Sequence, residues 1–149
     1  MAVEIERKFL LKNDNWKSLV TKTLVIKQAY LLSGVGTTDK SSIRIRISDD
    51  KANINIKGTI IRQEYEYDIP INDAEQMITS LCEQVIIIKT RYHVPFESHL
   101  WEIDVFHGCN TGLQVEEVEL DNVDEIIVKP DWIGEEVSHD KRYYNKGLS

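Results

Sequence analysis

Glu4, Glu6 and Lys8 are spaced two apart, so in an extended strand they share one face. The run Glu4-Ile5-Glu6-Arg7-Lys8 thus sets two carboxylates and an ammonium in one row. A solvated strand face is one reading. The chemical reading is a site for a divalent cation beside an anion, because carboxylate oxygens are hard ligands and an ammonium attracts negative charge. Later segments repeat the theme. Arg44 and Arg46 alternate with Ile43, Ile45 and Ile47, and Asn55 and Lys57 with Ile54 and Ile56. Arg62, Glu64, Glu66 and Asp68 alternate with Tyr65, Tyr67 and Ile69, and Glu102 and Asp104 with Trp101, Ile103 and Val105. Glu117 and Glu119 share a face with Leu113 and Val115.

Elements with this alternation must position those charges. Period-two patterning predicts strands near 2–10, 24–32, 42–49, 52–58, 62–70, 87–94, 99–106 and 113–121. Asp49-Asp50 reads as a hairpin turn. Helical spacing of Ala74, Met77, Ile78, Leu81, Cys82 and Val85 predicts a helix over Asp73 to Val85, capped by Asn72 or Asp73. Shorter helices are expected around Asp14 to Leu24 and Asp121 to Ile127. Tyr143 to Ser149 reads as helical or frayed.

An open sheet with one wet face would carry Ser, Thr, Lys and Gln there. Here the polar side is mostly Arg, Lys, Glu and Asp, with both signs on successive strands. Eight antiparallel strands can close and leave an interior of small-ligand size. The expected fold is therefore α+β: a closed eight-stranded antiparallel β-barrel, a tunnel with a charged lumen and helices packed outside, in one domain of residues 1–149. Turned inward, Lys8, Arg44, Arg46, Lys57, Arg62, Lys89 and Arg91 would face Glu4, Glu6, Glu64, Glu66, Glu102, Asp104, Glu117 and Glu119. Such burial demands pairing, water or ligand. A β-sandwich with cross-strand surface pairs is the other reading.

The formal net charge of −7 argues against a nucleic-acid or anionic-membrane partner, which needs a basic footprint. The longest apolar run, Val85 to Ile88, is too short to span a bilayer. The chain enters a strand pattern at once, so no signal peptide is expected, and a cytoplasmic location is the expectation. Cys82 and Cys109 lack metal or redox spacing and read as buried free thiols. Gly34 to Ser41 looks like a P-loop, but Asp39 replaces the required glycine and a strand follows, so it reads as a hairpin loop.

In sequence order, Glu4-Ile5-Glu6-Arg7-Lys8, Gln28-Ala29-Tyr30-Leu31, Ile43-Arg44-Ile45-Arg46, Ile56-Lys57-Gly58, Arg62 to Glu66, Lys89 to Tyr92, Trp101 to Phe106, Val115 to Leu120 and the tail Gly134 to Tyr143 resemble the CYTH-domain proteins, the triphosphate tunnel metalloenzymes. The resemblance covers nearly the whole chain and is closest to the small bacterial members. It implies hydrolysis of a triphosphate with Mg²⁺ or Mn²⁺. Glu4, Glu6, Glu117 and Glu119 would ligate metal. Lys8, Arg44, Arg46, Lys57, Lys89 and Arg91 would clamp phosphate oxygens. Related enzymes assign acid–base work to a lysine–tyrosine pair, which maps to Lys57 and Tyr30. A plain clamp and a packing residue are the alternative. Glu64 and Glu66 are metal ligands or partners of Arg44 and Arg62. Glu102 and Asp104 either position the attacking water or pair with Lys89.

The leading expectation is hydrolysis of inorganic tripolyphosphate, since no base-stacking platform is evident. An adenylate cyclase, a nucleoside or thiamine triphosphatase, and a triphosphate sensor without catalysis are the alternatives. Outward apolar strand faces are compatible with a homodimer.

Overall fold

The computed structural model describes residues 2–3, 5–32, 41–58, 63–82 and 86–143. Its strands are β1 (Ala2–Val3), β2 (Glu6–Leu11), β3 (Lys22–Leu32), β4 (Ser41–Ser48), β5 (Lys51–Gly58), β6 (Gln63–Ile69), β7 (Ile87–Phe96), β8 (His99–Phe106), β9 (Gln114–Glu119) and β10 (Ile133–Glu136). They form a ten-stranded sheet in the order β1-β6-β5-β4-β3-β7-β8-β9-β2-β10. Every pairing in it is antiparallel. Glu4, Arg62, Val85, residues 34–40 of the P-loop-like segment and the tail 144–149 lie outside the described residues.

The sequence predicts eight strands; the sheet has ten. The first predicted strand is two, β1 and β2, with partners at opposite ends of the strand order. β10 is additional, and a glycine lets it form. A Cβ at Gly134 would sit 2.8 Å from the Leu10 carbonyl oxygen, so only glycine allows this close approach to β2. The β4–β5 turn is at Asp49-Asp50 as expected. Asp49 adopts a positive φ of 52°, and its side chain accepts a bond from the Val25 amide at 2.9 Å, tying the turn to β3.

The helices depart further from expectation. α1 (Ile71–Ser80) starts just after Pro70 instead of at an Asn72 or Asp73 cap. It lays Ala74 and Ile78 on Ala29, Ile45, Ile47 and Ala52 of β3–β5, while Leu81 is exposed. The segment expected as a helix from Asp14 is a 3-10 turn, Asn15–Leu19, ended by an extended Val20. The helix expected over Asp121 to Ile127 does not form. There the Glu125 side chain accepts from the Asp121 amide at 2.7 Å and Asn122 Oδ1 from the Asp124 amide at 3.0 Å, holding the segment in local turns. Cys82 is half-buried, and Cys109 is exposed, not buried as expected; both are free thiols. No described helix is long and apolar enough to cross a membrane.

Alternation separates two sheet faces. On the apolar face Phe9, Val94, Trp101, Ile103 and Val118 form a core with Trp16 and Trp132. All three tryptophans are fully buried there. Glu116 shares this face, opposite Phe9 and Ile103. It is fully buried, accepts from Trp132 Nε1 at 3.0 Å, and its second oxygen has no partner. Burial pushes its carboxyl up to about 8, opposed by the Trp132 bond. The folded state thus holds a proton that the unfolded chain releases near 4.5, and stability is lost as pH rises from there through about 8. Glu116→Gln mimics the protonated form. It should melt like wild type at about pH 4 and be more stable by about 4 kcal/mol at pH 9, as read from thermal unfolding across pH.

Candidate active site

Register fixes the other face. Across β3–β4, Gln28 stands opposite Arg46 and Tyr30 opposite Arg44. Across β4–β5–β6, Arg44 neighbours Asn55 and then Glu66, and Lys57 neighbours Glu64. On the other half of the sheet, Arg91 stands opposite Asp104, Glu102 opposite Glu117, Glu117 opposite Lys8, and Glu119 opposite Glu6. The two halves meet around a cavity of about 110 Å³ lined by Glu6, Arg44, Arg46, Lys57, Glu64, Glu66, Arg91, Glu102, Glu117 and Glu119. The sheet must curl for β2 and β9 to share a cavity with β4, β5 and β6. The described lining is six glutamates and four cationic side chains, with no aromatic or apolar residue.

The cations differ in what holds them. Arg91 donates from Nε and Nη2 to the two Asp104 oxygens at 2.8 and 2.9 Å, and reaches Glu102 at 3.3 Å and Glu117 at 3.2 Å. Burial works against its charge, but Asp104 and then Glu102 and Glu117 outweigh it and hold Arg91 well above its ordinary value. Lys89, with no exposed surface, donates to Asp104 Oδ2 at 2.7 Å and lies 5.4 Å over the Phe106 ring. Burial pushes Lys89 down to about 7, Asp104 opposes this, and Arg91 and Arg46 reinforce it. Burial disfavours the Asp104 carboxylate, yet Arg91 and Lys89 prevail and hold it well below the ordinary range. Asp104 is therefore a buried anchor for two cations. Of the two roles open to it in the sequence, pairing with Lys89 is what the geometry displays.

Arg44 and Arg46 have no carboxylate within ion-pair distance among the described residues. Arg46 donates from Nε to Gln28 Oε1 at 2.8 Å, and Arg44 Nε has no acceptor. Burial, then Arg44 and Arg91, push Arg46 down to about 9, which leaves it charged at neutral pH. The sequence reads Glu64 and Glu66 as metal ligands or partners of Arg44 and Arg62; Arg62 lies outside the described residues, and both glutamates accept from Asn55 Nδ2 at 2.9 Å.

Of the predicted phosphate clamps, Arg44, Arg46, Lys57 and Arg91 line the cavity. Lys89 and Lys8 lie behind its wall. Lys8 Nζ is 3.8 Å from Glu117 and donates to the Tyr143 carbonyl at 3.4 Å. Tyr30 packs with Ile87, Phe106 and Val115, so β4 separates it from Lys57. His93 is half-buried with Nε2 3.3 Å from a Glu102 oxygen. Among the described residues no three acidic, histidine or cysteine side chains form a ready metal cage, and Glu4 lies outside them. The donor set still fits a hard divalent cation. It is all carboxylate oxygen, and Glu6 directly opposes Glu119, an arrangement of like charges that a cation between them stabilises. Asn55 is read from the sequence only as part of the alternation, and Gln28 only as part of a motif; neither is given a polar partner there. Their phase in the alternation, in step with Arg44 and Arg46, is the signal that could have found them.

A curled antiparallel sheet with charges of both signs around a central cavity defines the class. The chain belongs to the CYTH domain family, whose model matches residues 2–145. The inorganic triphosphatase of Acetivibrio thermocellus is 43% identical over 151 residues, covering 99% of this chain and 94% of its own. That of Nitrosomonas europaea is 36% identical over 151 residues, covering 98% and 96%. A crystal structure of an inorganic triphosphatase superposes with a TM-score of 0.69 at 33% identity, covering 99% of this chain and 95% of its own.

Proposed function

We infer that the protein is an inorganic triphosphatase, a divalent-metal-dependent hydrolase that converts tripolyphosphate to pyrophosphate and phosphate. One observation carries this reading beyond the likeness to its relatives: the described cavity lining is wholly ionic, six glutamates and four cations. A polyanion with its metal ion matches such a lining. A nucleobase or thiamine would need an aromatic or apolar face, and the three tryptophans are buried in the core of the other sheet face.

The sheet closes into a tunnel as one domain. β1 ends at Val3 and pairs with β6, whereas β2 begins at Glu6 and pairs with β9. Those two residues lie at most about 11 Å apart along the chain, so the N-terminal strand bridges the two halves of the sheet. Arg44, Arg46 and Lys57 grip the phosphate oxygens, with Arg91 at the acidic side. Glu4, Glu6, Glu117 and Glu119 would hold Mg²⁺ or Mn²⁺. The bound cation supplies neutralisation of phosphate charge and activation of the attacking water. Water attacks the terminal phosphorus, the bridging P–O bond breaks, and pyrophosphate leaves with the electron pair. Phosphoryl transfer asks the protein mainly for alignment and charge. Lys57, in the cavity lining, holds the substrate and exchanges a proton with it; Tyr30 supports the wall.

Phosphate release from tripolyphosphate, ATP and thiamine triphosphate tests this, with Mg²⁺, Mn²⁺ or EDTA. Tripolyphosphate should be preferred, EDTA should abolish turnover, and Glu6→Gln should lower kcat/KM by about 10²-fold or more. Preference for ATP with cyclic AMP among the products would mean a cyclase. Binding without turnover would mean a sensor.

A further inference from the structure

Gln28 sits in mid-strand on the charged face, directly opposite Arg46, with no exposed surface. Its carbonyl oxygen accepts from Arg46 Nε at 2.8 Å. That bond fixes the amide, whose Nε2 is left without an acceptor, as is Arg44 Nε on the same face. Arg44 and Arg46 line the cavity side by side, and two like-charged guanidiniums there point to an anion as their partner. We propose that Gln28 is a positioning residue of the anion site, holding the Arg46 guanidinium by Nε while leaving its positive charge to the substrate.

Arg91 shows the alternative within the same cavity. It too is held at Nε, but by the Asp104 carboxylate, which also takes Nη2 and neutralises the charge. Glutamine is nearly isosteric with glutamate. A carboxylate at position 28 would grip Arg46 as Asp104 grips Arg91 and compete with phosphate for it. The neutral amide fixes the stem and leaves the Nη1/Nη2 edge for two phosphate oxygens. The choice between amide and carboxylate at position 28 thus sets how much positive charge the cavity offers. This rests on the triphosphatase reading for the identity of the anion.

Wild type, Gln28→Glu and Gln28→Met are compared by calorimetric titration of tripolyphosphate in EDTA and by steady-state kinetics with Mg²⁺, each fold checked by far-UV circular dichroism. Gln28→Glu should weaken Kd and raise KM about tenfold or more while kcat changes by less than about threefold. Gln28→Met, which drops the tether without adding charge, should weaken Kd by about threefold or more, and by less than the glutamate. Should the glutamate variant not fold, the methionine variant decides. A Kd within about twofold of wild type, or losses confined to kcat, would overturn the proposal. Wild type that binds but does not hydrolyse tripolyphosphate would sink the hydrolase reading, and the Kd ratios would still judge Gln28. Wild type that does not bind would sink both.

Discussion

Arg46→Met should lower kcat/KM for tripolyphosphate by about 10²–10³-fold and, at the same time, raise the melting temperature. The two effects share a cause. Arg46 lines the cavity with Arg44 and Arg91, and its hydrogen bond in the structure goes to a neutral amide. A guanidinium in that position is costly to hold without an anion: it is partly desolvated and repelled by its neighbours. Substrate removes the cost by supplying the negative charge. Without Arg46 the site relaxes, but the transition state loses a bidentate donor in a confined, weakly screened cavity. Methionine fills the stem volume but leaves the Gln28 carbonyl without a donor, which offsets part of the gain. Arg46 is only half-buried, so water in the cavity also screens the repulsion. The net stabilisation is held to about 1 kcal/mol, or about 2–4 °C. A further readout isolates the charge. Tripolyphosphate added in EDTA should raise the melting temperature of wild type in proportion to the logarithm of its concentration, and that of Arg46→Met far less. If KM and this ligand-induced shift both stay at wild-type values, Arg46 does not hold the anion.

Much of this site is legible in the order of the residues. The alternation Ile43-Arg44-Ile45-Arg46 fixes which face is charged, because the side-chain period of a strand is two and a slip by one residue would bury both guanidiniums in the apolar core. The same rule puts Glu117 and Glu119 on the face of Lys8 and Glu6. What alternation cannot reveal is which charge neutralises which. Glu64 and Glu66 alternate in step with Arg44, yet Asn55 lies between the strands and takes both. Asp104 reads as one of several internal acids, and only the fold shows it wedged between Lys89 and Arg91. Alternation puts Glu116 on the face opposite Glu117 and Glu119, but its burial there depends on Trp132 arriving from a distant segment. The helix expected after Asp121 fails for a related reason. Its spacing is helical, but Val123 and Ile126 remain exposed, so no buried stripe repays the loss of the local side-chain bonds.

The largest effect on stability should come from Asp104. Asp104→Ala removes the one anion that Arg91 grips with two nitrogens and that Lys89 reaches at 2.7 Å. Arg91 would remain charged in the interior, and Lys89, with no exposed surface from which to find water, would be left either charged without Asp104 or forced neutral. Breaking a buried pair from one side costs about 3–5 kcal/mol, far more than the pair contributes over an apolar substitute. The melting temperature should fall by about 10 °C or more. Asp104→Asn keeps one acceptor oxygen and should fall less. Acid should produce the same loss in wild type. Asp104 is held below its ordinary value of 3.8, so its contribution is present above that pH and is lost as pH falls toward the folded-state value. The variants should lack this part of the acid dependence. The double substitution Lys89→Met with Asp104→Asn distinguishes a charge effect from a packing effect. If unpaired charge is the cause, removing Lys89 restores part of the lost stability, and the double mutant is more stable than the sum of the two single losses predicts. Additive losses would mean that Asp104 acts through shape, and that the cations around the cavity are held by something other than their shared carboxylate.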